Sequence, residues 1–92
     1  MIIRKGKSQV TFVYAPGNSC QKVLLAGTFN EWNPENGKMA RQKDGSFRKR
    51  INLSPGEYRY KFLVDGEWVH DSEGEAHAPN EFGSLDSIVR ID

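Results

Sequence analysis

Trp68 is the side chain whose placement most directly suggests chemistry. It lies in Glu57–His70, E-Y-R-Y-K-F-L-V-D-G-E-W-V-H, where two runs rich in aromatic and β-branched residues flank Asp65-Gly66. Asp-Gly is the commonest signal for a two-residue hairpin, because a type I′ turn needs positive φ at both central positions. The turn sets the register, with Val64 opposite Glu67, Leu63 opposite Trp68, Phe62 opposite Val69 and Lys61 opposite His70. Opposed residues share a face and faces alternate along a strand. Tyr58, Tyr60, Phe62, Val64 and Val69 therefore form a core face. Arg59, Lys61, Leu63, Trp68 and His70 form the other. A tryptophan in a row of cations on a solvent face is suited to holding a ligand, not to cutting a bond.

Trp32 sits in T-F-N-E-W-N-P-E-N-G, a stretch too rich in Asn, Pro and Gly for regular structure and read as a loop over Thr28–Gly37. The local residues leave two roles open for it, a cap on the end of a β-sandwich or a second platform. His70, Asp71, Glu73, Glu75 and His77 match neither a zinc motif nor the calcium-loop pattern, so no metal site is expected and they read as a solvated acidic loop. Arg41, Lys43, Arg48, Lys49 and Arg50 form a basic cluster, read as edge-strand charge that discourages aggregation. There is no nucleophile motif, phosphate-binding glycine loop or nucleotide fingerprint. No catalytic residue and no cofactor are expected.

The elements that must position the two tryptophans are short strands. Gln9–Tyr14 is β-rich and ends at the turn cluster Pro16-Gly17-Asn18-Ser19. Lys22–Ala26 is apolar on both faces, as in the middle of a packed sheet. Lys38–Gln42 is a short strand candidate, and Asp44-Gly45 turns into Phe47–Leu53, with Phe47, Ile51 and Leu53 on one face. Ser54-Pro55-Gly56 leads into the Trp68 hairpin. His70–Gly83 reads as a long polar loop and Ser84–Ile91 as a last strand. No window keeps a 3.6-residue apolar period. About seven short strands between turn signals predict an all-β, immunoglobulin-like antiparallel β-sandwich over residues 9–92, preceded by a tail or short edge segment over 1–8.

The chain has 92 residues, with 13 Lys and Arg against 12 Asp and Glu, for a net charge of +1. That balance gives no bias toward nucleic acid or membranes, and neither is expected as a partner. Cys20, the single cysteine, allows no internal disulfide and reads as a structural thiol. The N-terminal residues lack the apolar core of a signal peptide, and no run reaches the length of a membrane span. A cytoplasmic location is expected, for a standalone protein or for a module of a larger chain.

Two segments, A-G-T-F-N-E-W-N-P (Ala26–Pro34) and Y-R-Y-K-F-L-V-D-G-E-W-V-H-D (Tyr58–Asp71), closely resemble the signature of family 48 carbohydrate-binding modules. That family includes the glycogen-binding domain of the AMP-activated protein kinase β subunit and the N-terminal domains of branching and isoamylase-type debranching enzymes. The resemblance runs from about Gln9 to Asp92. It implies a β-sandwich that binds α-1,4-linked glucans (glycogen, starch, malto-oligosaccharides) without cleaving them. It assigns ligand roles to Trp32, Lys61 and Trp68. A third group matches F-G-S-L-D, in which Phe82 stands for an apolar leucine, Ser84 for a threonine and Asp86 for an asparagine. Asp86 keeps an acceptor, loses the amide donor and adds a negative charge.

These residue types suit that ligand. A pyranose has an apolar C–H face and a rim of hydroxyls, so a tryptophan platform with polar groups at its edge fits it. Two platforms set at an angle suit the curved α-1,4 chain better than a flat β-1,4 chain. Lys61 can donate from beside Trp68, and Asn30, Asn33, Ser84 and Asp86 are candidate rim partners. Such shallow sites bind with dissociation constants of roughly micromolar to millimolar, about −8 to −4 kcal/mol. The alternative is a protein-interaction or packing module, beside a glucan-active enzyme or in a kinase complex, whose sugar site has weakened. Glycoside hydrolysis itself needs a spaced pair of carboxylates in a cleft. No such pair is marked here.

Overall fold

Strand-forming runs with one apolar face can bury it only against another sheet, and that is the arrangement found in the computed structural model, which describes residues 1–6, 8–15, 21–81 and 83–92. Nine strands are present among the described residues: β1 (Ile2–Lys5), β2 (Gln9–Tyr14), β3 (Val23–Gly27), β4 (Ala40–Arg41), β5 (Phe47–Asn52), β6 (Gly56–Val64), β7 (Glu67–Val69), β8 (Ala76–Pro79) and β9 (Leu85–Ile91). One sheet has the order β1-β2-β5-β4 and the other β3-β6-β9-β8, with β7 also pairing to β6. All of the pairings are antiparallel. The predicted sandwich is therefore observed, with more strands than the seven or so expected.

β6 is the spine of the second sheet. Its nine residues pair with β3 on one side, and with β9 and then β7 on the other. The register at the turn is the predicted one, Leu63 opposite Trp68 and Phe62 opposite Val69. Asp65 and Gly66 take φ of 48° and 89°, as the type I′ turn requires. The Asp65 carboxylate also accepts from the backbone N–H of Gln21 (3.1 Å) and Lys22 (2.8 Å), tying the turn to the start of β3. Tyr60 and Phe62 pack edge to face within the core, together with Phe12, Leu25, Phe47 and Val89.

Several sequence expectations are corrected. The turn register predicts His70 opposite Lys61, but the ladder ends at Phe62–Val69, and the His70 ring packs edge-on against His77. His70–Gly83 is not one long loop, because Ala76–Pro79 pairs with β9 as strand β8. The Thr28–Gly37 stretch folds as two 3₁₀ turns, Thr28–Asn30 and Pro34–Gly37. The basic run Arg48-Lys49-Arg50 is on β5, which lies between β2 and the two-residue β4 and so is not an edge strand over its whole length. Within the stretch read as a tail or short edge segment, Ile2–Lys5 forms β1, an edge strand paired to β2. The Pro16–Ser19 turn cluster and Cys20 lie outside the described residues.

Asp71 ends the hairpin segment as a buried carboxylate, not as part of a solvated acidic loop. It is 4% exposed. Its Oδ2 accepts from the Tyr60 hydroxyl (2.8 Å) and its Oδ1 from the Glu73 backbone N–H (3.1 Å). Its own backbone N–H donates to Ser87 Oγ (2.7 Å), and its carbonyl accepts from His77 Nε2 (2.6 Å). Burial, reinforced by the bond to Asp71, pushes the Tyr60 phenol well above its ordinary range, so it stays protonated as a donor. Tyr60→Phe removes that donor from a buried acceptor. It is expected to cost about 1–2 kcal/mol, or about 5–15 °C in melting temperature for a domain of this size, as read by thermal unfolding.

Candidate functional site

Strand alternation sends Tyr60 and Phe62 inward, so Arg59, Lys61 and Leu63 must face out of the second sheet. Trp68, opposite Leu63, joins them and is 50% exposed. An apolar ring this large, left half in water on a sheet face, is the most exposed aromatic among the described residues. Beside it lies an open cavity of about 740 Å³. Trp32, Lys61, Trp68, Ser84 and Asp86 all line it.

Trp32 reaches that cavity from the two 3₁₀ turns. Glu31 and Trp32 both adopt left-handed backbone, with φ of 56° and 59°. For residues other than glycine this conformation is uncommon and carries strain, which the surrounding contacts must hold. Those contacts are local: the Trp32 N–H donates to Gly27 O (2.8 Å), and Asn33 N–H donates to Asn30 O (3.1 Å). Asn30 spends both ends of its amide on this frame, donating to Leu25 O (3.1 Å) and accepting from Gly27 N–H (3.0 Å). Asn33 Oδ1 caps the second turn by accepting from Glu35 N–H (3.1 Å).

The expected rim is thus revised. Asn30 and Asn33 do not line the cavity; they build the loop that carries Trp32. Phe82 lies outside the described residues. Asp86 lines the cavity but is buried, at 6% exposed, with both oxygens already engaged. Its Oδ1 accepts from Asn80 Nδ2 (2.9 Å), and its Oδ2 lies 3.4 Å from Arg59 Nη1 as an ion pair. Lys61 Nζ donates to Ser84 Oγ (2.9 Å), to which Asn80 Nδ2 also donates (2.9 Å).

Arg59 and Asn80 are cavity residues that sequence reasoning did not single out, with Thr28, Pro79 and Glu81 completing the wall. The signal for Arg59 was present, since parity places it in the same outward row as Lys61. Thr28 Oγ1 accepts from the Arg59 backbone N–H (3.2 Å), which joins the Trp32 loop to β6. Asn80 and its neighbours were hidden in the stretch read as a loop. They stand in place because β8 pairs with β9 and because Asn80 N–H donates to Ser84 O (2.9 Å).

The arrangement brings two indole side chains from elements far apart in the chain to one cavity, together with cationic and hydroxyl donors. It can stack flat apolar ring faces and satisfy a hydroxyl rim. The carboxylates on its wall are Asp86, which is held in the polar network, and Glu81.

Residues 8–92 match the family model described as the glycogen recognition site of AMP-activated protein kinase. Protein PTST homolog 2, chloroplastic, of Arabidopsis thaliana is 43% identical over 54 residues, which is 59% of this chain and 10% of that protein. The 5'-AMP-activated protein kinase subunit beta-1 of Sus scrofa is 32% identical over 71 residues, 77% of this chain and 55% of that protein. The chain thus spans about half or less of the length of these relatives. Among solved structures, a maltogenic amylase from S. marinus superposes with a TM-score of 0.76 at 26% identity, covering 97% of this chain and 14% of that one.

Proposed function

This chain belongs to the glycogen-recognition family of AMP-activated protein kinase, and from that premise we propose that it binds α-1,4-linked glucans without cleaving them, by stacking sugar rings on Trp32 and Trp68. The observation that carries the reading is the meeting of both tryptophans and Lys61 at one open cavity. Trp68 supplies the more exposed ring, Trp32 a second platform, and Lys61 and Ser84 the edge contacts to sugar hydroxyls. The partner is a glycogen- or starch-like polysaccharide or a malto-oligosaccharide. Any enzyme or kinase subunit attached to the module would be brought to that polymer. The cytoplasmic location expected from the sequence belongs to the same reading, although one relative that carries a similar segment is described as chloroplastic.

The packing-module alternative rests on Asp86, which in place of an asparagine loses an amide donor and adds a negative charge to the rim. Asp86 is paired with Arg59, which favours a working site. The test is affinity electrophoresis in native gels with and without glycogen. The protein is expected to be retarded by glycogen, and Trp32→Ala to lose at least half of that retardation at unchanged fold by circular dichroism. Equal migration of the unmodified protein in both gels would sink the proposal.

A further inference from the structure

We infer that Asp86 is a positioning residue that does not touch the ligand: through Asn80 and Arg59 it turns the cavity edge into a set of donors. The inference rests on the glucan-binding reading of this cavity. Asp86 is buried, with Oδ1 held by Asn80 Nδ2 at 2.9 Å and Oδ2 by Arg59 Nη1 at 3.4 Å. Each oxygen keeps a further lone pair, but with Asp86 only 6% exposed little of that capacity can reach a ligand. Asn80 Nδ2 has two N–H donors, and both have partners, Asp86 Oδ1 and Ser84 Oγ. Asn80 Oδ1 in turn accepts from the Ser84 backbone N–H (3.2 Å).

The consequence falls on Ser84. Its hydroxyl accepts from Asn80 Nδ2 and from Lys61 Nζ, each at 2.9 Å. A hydroxyl has two acceptor lone pairs and one donor, so with both lone pairs used only its O–H is offered outward. Lys61 keeps two of its three N–H donors, and Arg59 keeps those not directed at Asp86 and at Pro79 O (3.4 Å). The edge facing the cavity therefore presents Arg59, Lys61 and Ser84 as donors, and it reads oxygen lone pairs on the sugar. Arg59 supplies the donor that an asparagine amide at position 86 would have supplied. The carboxylate is what keeps Arg59 in place, so the two residues act as a unit.

The experiment is a double-mutant cycle of Asp86→Asn and Arg59→Gln, with affinity for maltoheptaose followed by amide chemical shifts and melting temperature recorded for each variant. Each single variant is expected to bind about 5- to 10-fold more weakly, the scale of one ordinary hydrogen bond lost. The double variant is expected to be no weaker than either single one, because two amides can pair where the ions did. Arg59→Lys should recover part of the affinity when Asp86 is present and none when Asn stands there. A direct ligand contact for position 86 predicts the opposite, since Asp86→Asn would then tighten binding by restoring an amide donor. Tightened or unchanged binding by Asp86→Asn overturns the inference alone, as do strictly additive losses that track melting temperature. Absence of maltoheptaose shifts in the unmodified protein overturns the glucan reading and the inference with it.

Discussion

Trp68→Ala is expected to weaken glucan binding about 30-fold while lowering the melting temperature by no more than about 8 °C, or about 1 kcal/mol. The two numbers come from the same geometry. Trp68 is half exposed on the outer face of its sheet, so folding has buried only part of the ring and truncation forfeits little of the core. A sugar stacked on that face would remove roughly 80 Å² of apolar area from water, which at about 25 cal/mol per Å² is about 2 kcal/mol. That energy corresponds to about 30-fold in dissociation constant. Isothermal titration with maltoheptaose, alongside thermal unfolding, checks both parts. A loss under threefold would mean that the ring is not a stacking platform. A large fall in melting temperature would mean that it is a structural cover for Leu63.

The same balance separates Trp68 from the inward aromatics. Tyr60 and Phe62 lie on the opposite face of β6 and are fully buried, so substitutions there would disturb binding only by disturbing the fold. Alternation of faces along one strand thus divides β6 into residues that hold the sandwich together and residues that line the cavity. Arg59 and Lys61 are placed for a ligand because Tyr60 and Phe62 are placed for the core.

This division was legible in the sequence wherever a local rule sets geometry. Asp65-Gly66 determines its own turn, the turn determines the register, and the register puts Trp68 on a face with Lys61. What was not legible depends on contacts between distant segments. β8 reads A-H-A-P, with no strand-forming residue, and it becomes a strand only because β9 is there to pair with and His77 is tied to Asp71 O. The wall residues Pro79 and Asn80 were missed with it. Asn30 and Asn33 look from the sequence like free amides near a tryptophan. Both instead satisfy backbone groups that the 3₁₀ turns would leave unpaired. Asp86 looked like an added charge because its partner, Arg59, is 27 residues away on another strand.

Gly37 is a further residue of that kind, and Gly37→Ala is expected to be the most damaging glycine-to-alanine change among the described residues. In the sequence it is one more small residue of a loop. In the structure it is buried at the end of the second 3₁₀ turn, against β3, where an added Cβ would lie 1.7 Å from the Leu25 carbonyl oxygen and 2.7 Å from its carbon. Neither atom can yield as a flexible side chain would, since Leu25 is fully buried in a strand paired along its length to β6. The turn must lift away instead. It is held on its far side by Met39 N–H donating to Val23 O (3.1 Å) and by the bridge between Lys38 and Leu24. Overpacking of this kind costs about 3 kcal/mol, which is about 12–24 °C in melting temperature for a domain of this size. Gly45→Ala is the control: its φ of +86° disfavours a side chain, but nothing lies within 4 Å of the added Cβ, so about 1 kcal/mol is expected. The turn that Gly37 seats follows directly from Trp32, so the surviving folded protein should also bind glucan more weakly at temperatures well below its melting point. Near-normal melting of Gly37→Ala would show that the turn does not rest on Leu25, and normal affinity in a destabilised protein would show that Trp32 does not depend on that seat.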